Sequence, residues 1–379
     1  MESAKAKHET KVWSPHIWLG CDLFAWLRLL WLGRFAFGWR QAHLLPLGTI
    51  FALVHTFLRY AQQGLYGQRL RESSIAEPPI FILGHWRSGT TLLHELLVLD
   101  PRHSFPNTYQ CFDPAHFLIS ESFIRKYFNW ILPSQRMMDN MPVGWGRPQE
   151  EEFALALLGQ PSPYNTIAFP NRGWLDAEAM NLDGLPKWQK ANWKRAFLRF
   201  LKEISLRDPR RLVLKSPPNT CRIPTLLEMF PDARFIHIVR DPIAVYPSTV
   251  NLWKKMYLAH GLHKPAFEGL ENRVFKTYLE VHRRFEETRA LIRSDRFHEL
   301  RYEDLVRDPV NEMSKLYAKL DLGGFENVRP DLERYLAKNA DYERNKFQPS
   351  SEQLAEITSR LGEVMRQYGY LNVPLRAAS

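Results

Sequence analysis

The sequence predicts a three-layer α/β fold built on a mainly parallel sheet, with a helical segment ahead of it. Three observations carry this. Short apolar runs read as strands: residues 79–83 (PIFIL), 211–215 (RLVLK), 234–239 (RFIHIV) and 297–302 (FHELRY). Stretches of helical periodicity lie between and after them, and such alternation feeds a parallel sheet covered on both faces. Residues 1–75 differ in composition: Trp13, Trp18, Trp26, Trp31 and Trp39 stand among Arg28, Arg34 and Arg40. The chain therefore divides into an N-terminal Trp-rich helical segment, 1–75, and a main domain, 76–379.

The elements follow in order. Within the first segment, residues 41–58 carry no Lys, Arg, Asp or Glu but include His43, Pro46, Gly48 and His55. Three readings stand: a helical hairpin packed on the main domain, an anchor lying in a membrane interface, or a spanning helix at the lower length limit. Tryptophan beside arginine is what a helix at headgroup level uses. The first strand, 79–83, ends on Gly84, and a helix follows over 90–99. Residues 104–175 are rich in Pro, Asn and aromatics and read as loops and short helices forming a substrate region. Helices are expected over 188–206, 221–230, 242–257 and 266–293, separated by the second and third strands; the fourth strand is 297–302. Helices over 309–320, 330–338 and 351–368 close the chain.

The chain has 379 residues, 45% hydrophobic, with net charge +10. That length supports one large α/β domain with appendages, or two domains. The basic balance suits a phosphorylated small molecule or an anionic membrane surface. Neither a basic recognition helix nor an aromatic RNA-binding strand accompanies it, so no nucleic-acid partner is expected. Cys21, Cys111 and Cys221 are far apart and form no CxxC pair. They support neither a disulfide framework nor a zinc site, and no metal is expected. Three free thiols suit a reducing compartment. With no secretory signal in the opening residues, the expected location is cytoplasmic, at the inner face of the membrane if residues 1–75 dock there.

The strongest local signal is Gly84-His-Trp-Arg-Ser-Gly-Thr-Thr91 between a strand and a helix. Backbone N–H groups and a helix N-terminus there can wrap an anion. Gly84 and Gly89 permit the backbone angles of such a loop. Ser88, Thr90 and Thr91 supply hydroxyls, and Arg87 a guanidinium fork for a phosphate or sulfate oxygen. The nucleoside-triphosphate loop carries Lys where this chain has Thr90. Losing that Lys favours a ligand with one phosphate and one sulfate over ATP. A second anion site is read at the end of the third strand. Asp241 can cap the next helix and Pro242 fits its first turn. Arg240 and Ser248 can then reach one phosphate, from the strand end and from the helix.

With these two motifs the chain resembles the PAPS-dependent sulfotransferase superfamily, which uses 3′-phosphoadenosine 5′-phosphosulfate (PAPS). Trp86-Arg-Ser-Gly-Thr-Thr91 resembles its 5′-phosphosulfate loop, and Arg240 through Ser248 its 3′-phosphate motif. Arg301-Tyr-Glu-Asp-Leu305 with Asp308-Pro309 matches a further stretch of the family, and Pro148-Gln-Glu-Glu-Glu-Phe153 a mostly bacterial branch. The resemblance covers residues 78–309. It implies a P-loop-like fold, PAPS as co-substrate without a metal, and in-line sulfuryl transfer to an acceptor hydroxyl. Arg87, Ser88, Gly89, Thr90 and Thr91 would hold the phosphosulfate; Arg240 and Ser248 would hold the 3′-phosphate.

The catalytic base is where this chain departs from the family. The cytosolic branch carries Lys-Thr-His after the second strand, the His being its base. Here the segment is Lys215-Ser216-Pro217. Lys215 can still steady developing charge. The base candidates become Glu150, Glu151 and Glu152, with His85 and His94 behind them. An acidic helix start is the alternative reading of the three glutamates. Tyr109, Phe112, Phe117, Met137, Met138, Met141, Trp145, Tyr164 and Phe169 make the variable region apolar. With the Trp-rich segment they point to a hydrophobic, lipid-like alcohol; a glycan or a tyrosine stays open. Two rivals remain, a P-loop-type kinase and a membrane-associated nucleotide- or anion-binding protein without catalysis.

Overall fold

The computed structural model describes residues 16–128, 130, 132, 144–339 and 349–371. Trp13 and the apolar candidates Met137, Met138 and Met141 lie outside them. The chain opens with helices α1 (Leu23–Leu32) and α2 (Leu44–Glu72). Strand β1 (Ile80–Leu83) leads through the glycine loop into α3 (Thr90–Leu97) and a two-residue strand β2 (His103–Ser104). Short helices α4 (Thr108–Phe112), α5 (Phe117–Tyr127) and α6 (Glu151–Leu157) fill the expected substrate region. Then come α7 (Lys187–Arg207), β3 (Arg211–Lys215), α8 (Ile223–Met229), β4 (Arg234–Val239), α9 (Pro242–His260) and α10 (Leu270–Thr288). Strand β5 (Phe297–Arg301) precedes α11 (Tyr302–Arg307), α12 (Pro309–Lys319), α13 (Phe325–Lys338) and α14 (Ser351–Gln367).

The sheet is parallel throughout, in the order β2-β3-β1-β4-β5. Every residue of β1 and β4 is buried, as expected for strands covered on both faces. Alternate side chains sort by face. Ile80, Ile82, Val213, Ile236 and Ile238 pack with α3, α12 and α13. Phe81, Leu83, Leu212, Leu214 and Phe235 pack with α7 and α8. Each such side chain contributes ~1.5–3 kcal/mol by leaving water. A third core joins the N-terminal helices to the main domain: Trp18, Trp26, Leu29 and Leu30 pack with Phe169, Trp253 and Leu361. All three cysteines are buried free thiols.

Several expected boundaries move, for local reasons. The helix placed at 266–293 runs only from Leu270 to Thr288, entered through Gly269 at φ +66°. The helix expected at Pro330 starts earlier, at Phe325, behind Gly323 and Gly324 with positive φ. Burial of Phe325 and Val328 recruits that first turn, and Pro330 sits inside the helix. Tyr302 ends no strand but opens α11. The edge strand β2 escaped the pattern because two residues carry no periodicity. The apolar stretch 41–58 is the first half of α2, a 29-residue helix long and apolar enough to cross a membrane by length and composition. It lies along the main domain: buried His55 and Gln62 face inward, and Gln62 Oε1 accepts the Leu118 N–H at 2.8 Å.

Candidate functional site

The parallel strands aim their carboxyl ends at one edge, where an α/β sheet places its ligands. The loop after β1, Lys215 at the end of β3, Arg240 after β4 and Tyr302 after β5 all gather there. The loop turns on Gly84 at φ +148° and Gly89 at φ +101°. A side chain at Gly89 would meet the Tyr302 ring at 2.2 Å. Arg87 also takes positive φ, +69°, an uncommon state for a side-chain-bearing residue. Gly89 is the N-cap of α3 and gives no side-chain cap. The first-turn N–H groups of that helix are thus left for an anion.

The two anion motifs meet. Arg87 Nε donates to Ser248 Oγ at 2.9 Å, and Arg240 Nη1 donates to the Arg87 carbonyl at 3.1 Å. The Arg240 guanidinium lies 4.2 Å from the centre of the Tyr302 ring, a cation–π contact that fixes its direction. Arg87, Gly89, Thr90, Thr91, Arg240 and Ser248 line one end of a cavity of about 1730 Å³. Ser88 does not join them: its hydroxyl is buried and donates to the His85 carbonyl at 2.7 Å, so it shapes the loop.

The glutamate run diverges, because a helix start turns successive side chains by about 100°. Glu150 is the N-cap of α6 and lines the cavity. Lys215 Nζ donates to Glu150 Oε1 at 2.6 Å, and Tyr164 donates its hydroxyl to Oε2. Trp86, inside the anion loop, donates Nε1 to the Tyr164 oxygen at 3.0 Å. A continuous chain of hydrogen bonds thus joins the loop to Glu150 and Lys215. Lys215 itself is 2% exposed, and it meets the cavity through Glu150. Glu151 faces inward, accepting from Asn219 at 2.6 Å and from the Lys215 N–H at 3.2 Å. Burial pushes its carboxyl up to about 7.

Glu152, expected as a catalytic carboxylate, is placed elsewhere. It is fully buried and pairs with Arg222 at 2.5 and 3.0 Å, while Ser162 donates to it at 2.6 Å. Its environment is that of a structural ion pair. The histidines are likewise displaced. His85 lies behind the loop against Tyr278, 4.7 Å between ring centres, and burial pushes it down to about 4. His94 is within 3.2 Å of the Val213 carbonyl, and burial holds it near 3.

Sequence reasoning missed Tyr302, Trp86 as the link to Tyr164, and two further carboxylates in the cavity, Glu95 and Asp113. Glu95, on α3, lines the cavity wall and accepts from Arg147 at 2.9 Å. Its signal was its place one helical turn after Thr91. Of the apolar candidates, Tyr109, Phe112, Trp145 and Tyr164 line the cavity; Phe117 and Phe169 belong to the cores. The far wall comes from the N-terminal helices and α5: Leu44, Leu47, Phe51, Val54, Ile119 and Phe123. One continuous cavity therefore runs from an end lined by Arg87 and Arg240 to a greasy end.

Comparison with known proteins agrees with this architecture. A model described as the sulfotransferase family matches residues 78–327. The chain is 44% identical over 370 residues to the omega-hydroxy-beta-dihydromenaquinone-9 sulfotransferases of Mycobacterium tuberculosis and Mycobacterium bovis, covering 98% of this chain and 95% of theirs. Among solved structures, a sulfotransferase of Mycobacterium avium superposes with a TM-score of 0.68 at 17% identity, covering 98% of this chain and 100% of the other. A sulfotransferase of Mycobacterium tuberculosis superposes at 0.58 with 19% identity, covering 92% and 91%. At such identities the superpositions speak for the fold.

Proposed function

The chain belongs to the sulfotransferase family, and we propose that it takes its sulfuryl group from PAPS and passes it to the hydroxyl of a long lipid, a hydroxylated menaquinone. The observation that carries this is the shape of the large cavity, with Arg87, Arg240 and Ser248 locked together at one end and apolar walls leading away. In this reading Arg87, Thr90, Thr91 and the first N–H groups of α3 hold the phosphosulfate. Arg240 and Ser248 hold the 3′-phosphate. Ser88 and Gly89 keep the loop in shape.

Glu150 is the base. As the acceptor oxygen bonds to sulfur, its proton passes to the Glu150 carboxylate. The bond from sulfur to the 5′-phosphate oxygen breaks, and 3′-phosphoadenosine 5′-phosphate leaves with the electron pair. Lys215 is a positioning residue: its ammonium, with Tyr164, orients Glu150. Glu95 is the second candidate, favoured by its place in the same cavity. The two are separated by comparing turnover in Glu150→Gln and Glu95→Gln.

The menaquinone acceptor is supported by the 44% identity to enzymes so named and by the greasy far wall. Phe24 and Trp31 on α1, Trp39 in the connection after it, and Ile50, Phe57 and Leu65 on α2 are exposed. We take residues 1–75 as a docking face for the membrane that holds the acceptor, the rest of the chain as the catalytic domain, and the inner face of the membrane as its place of work.

The test is calorimetric titration with 3′-phosphoadenosine 5′-phosphate in the absence of metal, on the wild type and on Arg240→Ala. The wild type should bind. The variant should lose about tenfold or more, since a charge-assisted bond is worth ~1.5–3 kcal/mol. Absence of binding to both would sink the PAPS reading. Labelled sulfate transferred from PAPS to a hydroxylated menaquinone, and not to a glycan or tyrosine, would establish the acceptor; the reverse pattern would replace it.

A further inference from the structure

We propose that His55, Asp113 and His116 form a binding site for one divalent transition-metal ion, with Zn²⁺ the ion their donor set fits. The site is independent of the donor and acceptor assignments above. It stands on the far wall of the cavity, where α2 meets the connection between α4 and α5; all three residues line that cavity.

The geometry is convergent. His55 Nδ1 is 2.5 Å from His116 Nε2, and Asp113 Oδ1 lies 3.6 Å from the first and 4.0 Å from the second. Ligand atoms around a tetrahedral ion, with bonds of about 2.0–2.1 Å, sit roughly 3.3 Å apart. The observed spacings bracket that value, and small side-chain rotations reach it. Two imidazoles and one carboxylate leave a fourth position for water or a ligand oxygen from the cavity.

Proton accounting points the same way. Tyr109 donates its hydroxyl to Ser120 Oγ at 2.8 Å, and Ser120 donates to the His116 carbonyl at 2.9 Å. Ser120 then has only a lone pair for His116 Nδ1, 2.8 Å away. The ring proton of His116 therefore sits on Nδ1, and Nε2 is bare. A metal-binding histidine is held in this way, its second nitrogen donating to a carbonyl or hydroxyl. Two imidazole nitrogens and a carboxylate oxygen thus face one another, an arrangement that a cation between them satisfies.

The ion would fasten α2 to the main domain and so complete the wall of the cavity. The test uses the full chain without a polyhistidine tag, stripped with chelator, dialysed against Zn²⁺ at neutral pH and freed of excess. Elemental analysis should find about one equivalent in the wild type and background in His116→Ala and Asp113→Ala. Ser120→Ala, which only orients His116, should weaken Zn²⁺ about 10–100-fold. Zn²⁺ should raise the wild-type melting temperature and leave that of Asp113→Ala unmoved. Loading with Co²⁺ gives a readout needing no variant: the visible absorption of a four-coordinate ion. Wild type that retains no Zn²⁺ and shows no such Co²⁺ absorption, or His116→Ala with an unchanged metal content, would overturn the proposal.

Discussion

Glu150 and Glu152 are two residues apart and belong to different worlds. Glu150 meets the cavity beside Lys215 and Tyr164. Glu152 meets Arg222, 70 positions away in the chain. Glu150→Gln keeps the shape and one of the two acceptor oxygens but takes up no proton. Turnover should fall about 10²–10⁴-fold, the range for losing a general base, with nucleotide affinity unchanged by calorimetry. Glu152→Gln should do the opposite. It strips the charge from a buried pair and leaves Arg222 uncompensated, costing ~3–5 kcal/mol, read as a lower denaturant midpoint. A Glu152→Gln protein with wild-type stability and slow turnover would reverse the assignment. This distinction was not legible in the sequence. The run of three acids announced a helix start and a carboxylate supply, but the helix phase and a distant arginine decide which one faces the cavity. Arg87 and Arg240 could be brought together from the sequence because each follows a strand whose apolar pattern is plain, and parallel strands bring such ends together; Ser248 sits two turns into the helix after the second of them.

At the scale of elements, the strand–loop–helix unit of β1 and α3 holds the anion end, and its weak point is Gly89. Its φ of +101° is uncomfortable for any L side chain, and a Cβ there would press into Tyr302. Tyr302 in turn faces Arg240, so one methyl group disturbs both anion motifs. Gly89→Ala should destabilise by more than ~1 kcal/mol and lose measurable binding of 3′-phosphoadenosine 5′-phosphate. Gly64→Ala is the natural contrast: nothing lies within 4 Å of the added group, inside α2. It should stabilise by ~0.5–1 kcal/mol, read by thermal denaturation, without touching the nucleotide. A Gly89→Ala chain that binds normally would mean the loop does not need this turn. The strands and central helices were readable because each is a long apolar or periodic run. Starts set by tertiary burial, as at Phe325, were not, since Pro330 offered a stronger local signal than the core contact that overrode it.

Across the whole molecule, polarity changes along one continuous space. The cavity begins at the ends of β1 and β4, beside Arg87 and Arg240, and finishes against α2, whose other face is open to solvent and apolar. Composition told that residues 1–75 were greasy and tryptophan-rich. It could not tell that Trp18 and Trp26 fasten the segment into the core while Trp31 and Trp39 point outward, 71% and 82% exposed. A helix with one side on a protein and the other bare is suited to lie at a bilayer surface, its apolar side in the acyl boundary; the net charge of +10 adds attraction to anionic lipids. Phe57 and Leu65 stand on that bare side and do not line the cavity. Each such side chain is worth ~1.5–3 kcal/mol when buried, so Phe57→Glu with Leu65→Glu should weaken binding to anionic vesicles by roughly a hundredfold or more. Cosedimentation with the vesicles measures it. Turnover on an acceptor dispersed in detergent should stay at the wild-type rate, and turnover on acceptor embedded in vesicles should fall with the binding. If both rates stay level while vesicle binding disappears, the acceptor reaches the cavity from solution; if vesicle binding is unchanged, the bare face of α2 serves some contact other than a membrane.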